Sequence, residues 1–401
     1  MQVAEGYKQT EVGVIPEDWE LLKVKDLIAR GLIDKPIDGN HGNIHPTSGD
    51  FTETGIPFVM ANAVQKGRVN LERCACITKK QADSLQKGFS VEGDVLLTHK
   101  ATIGNTAIVG SIETEYIMLT PQVTYYRVID KCRLSNIYLR HFLDSSGFQN
   151  VLAIQAGGGT RSYIGIVAQQ SLPIVLPPSL AEQEAIAEAL SDADSLIESL
   201  QQLIAKKRQI KQGAMQELLQ PKPEWVKKTV KEFADIKTGS KNTQDKISDG
   251  NYPFFVRSQK IESINSYAYD TEAVLTAGDG VGTGKVFHYI NGKFDVHQRV
   301  YLITNFSQEV DGIYFHLFFS THFYDRVMQM TAKSSVDSVR MEMIADMPIQ
   351  LPPTVEEQTH IAKTLSDMDS EITALETKLT KAQQIKQGMM SELLTGKTRL
   401  I

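Results

Sequence analysis

Two stretches of the chain space their apolar residues in the same way. After Pro177-Pro178, apolar side chains fall at Ile186, Leu190, Ala193, Ile197, Leu200 and Ile204, in alternating steps of four and three. After Pro352-Pro353 they fall at Ile361, Leu365, Met368, Ile372, Leu375, Leu379 and Ala382, with the same alternation. Such spacing is a heptad seam, the mark of a helix packed along another helix. The proline pairs end the preceding segments, because proline continues neither a ladder nor a helix interior. Ser179 with Glu182, and Thr354 with Glu357, form the S/T-x-x-E box of a helix start. The pattern predicts two long antiparallel helices, each about 60 Å long at 1.5 Å per residue. Outside them the pattern changes to short β-branched and aromatic strands, as in Val123–Val128 and Val300–Ile303. Amphipathic helices follow at Ile137–Ile154 and Ile313–Met330, giving a mixed α/β class.

The helical stretches belong to an internal repeat, which is sought first because it decides the architecture. Residues 172–219 align without a gap on residues 347–394, and 26 of the 48 columns are identical. Weaker echoes extend into the preceding blocks. Ile56-Pro57-Phe58 resembles Tyr252-Pro253-Phe254, Ile137-Tyr138 resembles Ile313-Tyr314, and Val95-Leu96-Leu97-Thr98 resembles Ala273-Val274-Leu275-Thr276. The expected domains are a first globular block over 1–178, a helix over 179–219, a second block over 220–353, and a helix with its tail over 354–401. One duplicated scaffold carrying two divergent blocks suggests two different readers.

Composition narrows the class. The 401 residues are 41% hydrophobic and 22% charged, which suits a soluble chain with a packed core. No apolar run reaches the roughly 18 residues that span a bilayer, and no signal peptide stands at the start. Cys74, Cys76 and Cys132 are too few for a disulfide framework, so a cytoplasmic protein is expected. The net charge of −6 argues at first against nucleic acid. However, residues 172–219 alone hold 4 basic and 7 acidic side chains, half of the excess, whereas 1–171 hold 17 and 18 and 220–346 hold 15 and 16. Each block is near neutral and can carry a basic face.

Catalytic constellations are missing. Around Gly284-Lys285 the first glycine that a phosphate loop needs is Asp279, and Val286 stands in place of its Ser/Thr. There is no [DN]-P-P-[FYW] tetrapeptide of amino-methyltransferases. No H-E-x-x-H or clustered carboxylates accompany the scattered histidines, so neither a metal nor a cofactor is expected. What remains are polar loops able to read bases or hold phosphates. In the first block the candidates are His41, Asn43, His99, Lys100, Thr102, Thr160, Arg161, Ser162 and Tyr163. In the second they are Arg257, Ser258, Gln259, Lys285, Gln298, Arg299, Lys333, Ser334 and Ser335.

Several motifs then converge on one family. Gly13-Val14-Ile15-Pro16-Glu17-Asp18-Trp19, Gly55-Ile56-Pro57-Phe58, the twice-occurring Leu-Pro-Pro with Glu182-Gln183 and Glu357-Gln358, and Lys207–Met215 resemble the specificity subunit of type I restriction-modification systems. The resemblance covers essentially the whole chain. It implies a non-catalytic subunit that reads bipartite double-stranded DNA with one block per half-site, while the helix pair sets their distance. It further implies two methyltransferase (modification) subunits as partners, restriction subunits joining the complex, and S-adenosylmethionine and ATP held by those partners. The chain termini are expected to lie close together. Two other readings compete: a coiled-coil adaptor that binds only proteins, and a self-sufficient methyltransferase, which needs the motifs that are missing.

Overall fold

A computed structural model of the chain describes residues 4–157, 163–330 and 338–400. It is mixed α/β and divides into two compact units, Met1–Leu200 with Lys378–Ile401, and Gln201–Thr377. The two long helices, Leu180–Leu218 and Val355–Leu393, are each 39 residues and unbroken. Each unit takes half of both helices.

In the first unit a six-stranded sheet is centred on Val95–Thr98, which runs antiparallel to Val123–Tyr126 on one side and to Thr106–Ile108 on the other. A five-stranded sheet carries Ile117–Leu119 parallel to Ile56–Val59. Val95, Leu96 and Leu97 are all fully buried because the two faces of the strand serve two cores. Val95 and Leu97 join Trp19, Phe142 and Phe148, whereas Leu96 joins Val59 and Leu119. A continuous apolar run is what a strand buried on both faces requires. The second unit has one six-stranded sheet, in which Tyr269–Ala277 lies between Phe287–Val296 and Val300–Thr304.

Two details depart from the sequence reading. The helix expected over Ile137–Ile154 is two helices, Asn136–Leu143 and Ser146–Ala156, because the Ser145 hydroxyl accepts from the Phe148 amide and starts a new one. Its counterpart Gly312–Met330 is continuous. The strand alignment also shifts by one residue: Thr98 faces Val123 and Ala277 faces Val300, so Thr98 matches Ala277 and not Thr276.

The long helices start as their caps require, with Ser179 and Thr354 accepting from the amides of Glu182 and Glu357. The glutamates themselves do not fold back on the caps. Glu182 is buried and takes Arg399 Nη2 at 2.9 Å, and Arg399 also bonds Asp18. Tyr7 Oη donates to Gly396 O at 3.3 Å, so both ends of the chain meet in this unit. The seam is only partly a helix–helix seam. Ile186 and Leu190 join the first unit's core, and Ile361 and Leu365 the second's. Within the second unit the helix halves run antiparallel, with Lys207 bonded to Glu371 and Lys211 to Asp369. Within the first, Asp194 holds both Lys386 and Arg140 Nη1, tying the two helix halves to the helix of the globular block.

Burial sets a pH limit on this packing. Burial, then the neighbouring Arg140, drives His141 down to about 3, and burial lowers His316 to about 4. Both stay neutral in the fold but take a proton in the unfolded chain below about 6.5. Their contribution is complete above that pH and is lost as pH falls toward the folded values. Urea unfolding is expected to show His141 alone withdrawing about 2 kcal/mol between pH 6.5 and pH 5, and His141→Gln is expected to remove that share of the drop.

Candidate nucleic-acid interface

Lys100 in the first unit and Gln298 and Arg299 in the second lie at one end of their unit's central strand pair, with Arg257 beside them. In the first unit Lys100 follows Val95–Thr98, and Gln122 precedes the antiparallel Val123–Tyr126. Ala101 takes φ +69, so the chain turns sharply just past Lys100. His41, His45, Met60, Lys100, Thr120 and Gln122 line a recess of about 320 Å³.

Buried side chains brace the segments that line the recess. Asp38 is buried and accepts from His41 Nε2 at 2.6 Å and from Lys87. Burial alone raises its pKa, but the bonds from Lys87 and His41 outweigh it and hold the carboxyl below its usual range. Asn40, also buried, accepts from the Gln86 amide and donates to Lys87 O, fastening the 38–41 segment to the 86–87 turn. His99 is fully buried, so it supports the recess and does not present a ring on the surface. Its Nδ1 donates to Ile164 O at 3.0 Å, and burial lowers its pKa, which leaves Nε2 as an acceptor. That Nε2 and Thr120 Oγ1 are buried with no hydrogen-bond partner. Tyr163 packs on the His99 ring at 5.7 Å and is itself half-exposed, and Thr102 is exposed.

In the second unit the corresponding rim is charged. Arg257 Nη1 lies 2.7 Å from Asp279 Oδ1, and Arg299 Nη1 lies 3.6 Å from Asp279 Oδ2. Both arginines remain exposed, Arg299 at 64% of its side chain. Gln298 is exposed and donates to Asn242 Oδ1 at 2.6 Å, and buried His297 accepts the Arg299 amide. Gln259 is exposed, and half-buried Ser258 donates its hydroxyl to Lys260 O while its backbone carbonyl accepts from His288 Nε2. Lys285 lies over the Tyr324 ring, 5.0 Å from its centre. Thr160, Arg161, Ser162, Lys333, Ser334 and Ser335 fall outside the described residues, as does the side chain of Asn43. Sequence reasoning missed Asp38, Asn40, Thr120, Gln122 and Asp279. Asp279 was visible only as the residue that spoils a phosphate-loop spacing.

The first unit carries Lys100 and Gln122, and the second Arg257, Gln298 and Arg299, at the end of its central strands, polar side chains of the kind that meet an extended polar ligand. The chain belongs to the type I restriction-modification DNA specificity family, whose profile matches residues 16–208 and 222–387. It is 23% identical over 435 residues to a putative type I restriction enzyme MjaX specificity subunit of Methanocaldococcus jannaschii, covering 99% of this chain and 97% of that one. It is 28% identical over 172 residues to the type I restriction enzyme EcoDI specificity subunit of Escherichia coli, covering 43% and 37%. The crystal structure of a type I restriction-modification S subunit from M. genitalium shares the fold, with a TM-score of 0.66, 13% identity and 98% of each chain covered. No helix among the described residues is long and apolar enough to cross a membrane.

Asp38 is the keystone of the first rim. Asp38→Ala is expected to strand Lys87 and His41 and to cost about 1–3 kcal/mol in chemical denaturation. Asp38→Asn should recover part of that loss.

Proposed function

We propose that this chain is the non-catalytic specificity subunit of a type I restriction-modification complex, and that each unit reads one half of a bipartite duplex target. The observation that carries the reading is the family match over both units, each presenting a polar rim at the same end of its central strands. Lys100 and His41 on one rim, and Arg257, Gln298 and Arg299 on the other, are the proposed DNA contacts. Arginine and amide side chains pair with base edges, and lysines and hydroxyls take phosphates.

The long helices hold two methyltransferase subunits, and restriction subunits join through that complex. S-adenosylmethionine and ATP act on those partners, in the cytoplasm where the complex meets DNA. The helices carry the acidic excess of the chain without harm, because in this reading they face protein. Part of the phosphate charge is neutralised by the partners, so the isolated subunit binds DNA weakly.

Exchange of the first block tests the reading. Replacing residues 1–178 with the matching block of a relative, in the complex with its methyltransferase, should change one half of the methylated motif and leave the other intact. Methylation sequencing that shows both halves changed, or neither, would refute separate readers. A second test addresses the helices. Four residues inserted after Leu200 and after its repeat equivalent Leu375 add about 6 Å and about 40° of rotation, a stutter that a heptad seam tolerates. The expected result is an unchanged pair of half-sites with a spacer longer by one or two base pairs, at about 3.4 Å each.

A further inference from the structure

The two units set different side chains on one backbone frame. In the first, the His99 amide donates to Gln122 O at 2.9 Å, and His99 O accepts from the Ile164 amide at 3.1 Å. In the second, the Gly278 amide donates to Arg299 O at 2.8 Å, and Gly278 O accepts from the Val339 amide at 2.8 Å. The bridges beside them match as well, Lys100 with Tyr163 and Asp279 with Ser338. Across the parallel pairs, the Thr120 amide donates to Val59 O at 3.0 Å and the His297 amide to Phe255 O at 2.9 Å. Under both frames the chain passes too close for any side chain. A Cβ on Gly39 would stand 1.9 Å from Leu119 O, and one on Gly239 2.0 Å from Val296 O.

These ties fix a correspondence without any sequence alignment. Lys100 stands where Asp279 stands, Gln122 where Arg299 stands, and Ala61 where Arg257 stands. The correspondence extends to neighbouring contacts: Gln122 Oε1 accepts from the Ala61 amide, and Arg257 and Arg299 share Asp279. The first frame thus carries an amine and an amide beside a recess lined by Thr120, whose buried hydroxyl has no hydrogen-bond partner. The second carries a carboxylate between two guanidinium groups.

We infer that these corresponding positions set the base preference of each half-site, and that Asp279 and Arg299 together read a G·C pair. The inference rests on the reading of this chain as a DNA specificity subunit. In the major groove a guanine offers two acceptors, N7 and O6, and its cytosine offers the N4 amino donor. Arg299 supplies a fork of donors, and Asp279 an acceptor next to it. Arg257 grips the other carboxylate oxygen of Asp279 and holds it in place. An A·T pair presents its donor on the purine and an acceptor on the pyrimidine, so it meets this pair of side chains with like against like. The first unit has no carboxylate at the matching place and reads a different base pair.

The test uses the full chain assembled with its methyltransferase, with the methylated motif sequenced and binding compared on matched and singly substituted duplexes. Arg299→Gln is expected to weaken the preference for one G·C pair in one half-site by roughly 5- to 150-fold and to move it toward A·T, since glutamine pairs with adenine. Arg299→Lys should keep the base but discriminate less, and Gln122→Arg should alter only the other half-site. An assembled Arg299→Gln complex with the original motif and discrimination would overturn the assignment, as would both half-sites changing together. A wild-type complex with no bipartite motif would sink the specificity-subunit reading itself, which separates the two failures.

Discussion

One buried amide holds each long helix to its globular block. Gln183 accepts from the Ser135 amide at 3.1 Å and donates to Arg133 O at 3.1 Å. Gln358 repeats this in the second unit, accepting from the Asp311 amide at 2.9 Å and donating to Glu309 O at 3.0 Å. Both side chains are almost wholly buried. Each satisfies two backbone groups just before the block's own helix, and an apolar residue there would leave them unpaired at about 1–3 kcal/mol apiece. A second bond closes the same corner. Tyr138 Oη donates to Val175 O at 2.9 Å and Tyr314 Oη to Gln350 O at 2.8 Å, on the strands that lead into the proline pairs. Strand, long helix and block helix are thereby locked at one point, and the glutamine that the two repeats share has a physical cause.

Much of this scaffold was legible in the sequence because local chemistry dictates it. Proline ended the strands, Ser179 and Thr354 capped the helices, and the repeat announced two related units. The heptad spacing predicted the helices but misassigned part of their burial. Ile186 and Leu190 lie at seam positions yet pack into a globular core, and periodicity alone does not say which neighbour covers an apolar face. Ser145 likewise starts a second helix where amphipathic spacing runs on without a break.

The rims were harder to read because much of their order comes from residues distant in sequence. Asp38 meets Lys87 and His41, while Gln122 meets Ala61. Asp279 is meaningful only beside Arg257 and Arg299. The loop candidates Lys100, Arg257 and Arg299 did fall on the rims, since polar residues at strand ends are exposed for simple topological reasons. His99 did not, because its ring fills space between the Ile164 carbonyl and Tyr163. Polarity marks a residue that needs a partner, and the partner here is inside the protein.

The divergence of the two blocks follows from how the frame is made. The strand-end ties that frame each rim are amide-to-carbonyl bonds, which most side chains leave intact, although Asp38 and Asn40 brace the first rim through their side chains. Glycine is demanded by steric contact at 39 and 239 and, in the second frame, also at 278 and 282, where a Cβ would stand 2.9 Å from Arg299 O and 2.8 Å from Arg257 O. The helix corner is the opposite case, since its bonds run through the side chains of Gln183, Gln358, Tyr138 and Tyr314, and changing one breaks the corner. A chain built this way keeps its two helix corners alike and leaves the two rims free to differ. Lys100 and Asp279, opposite in charge on the same backbone position, are what that freedom produces within a single molecule.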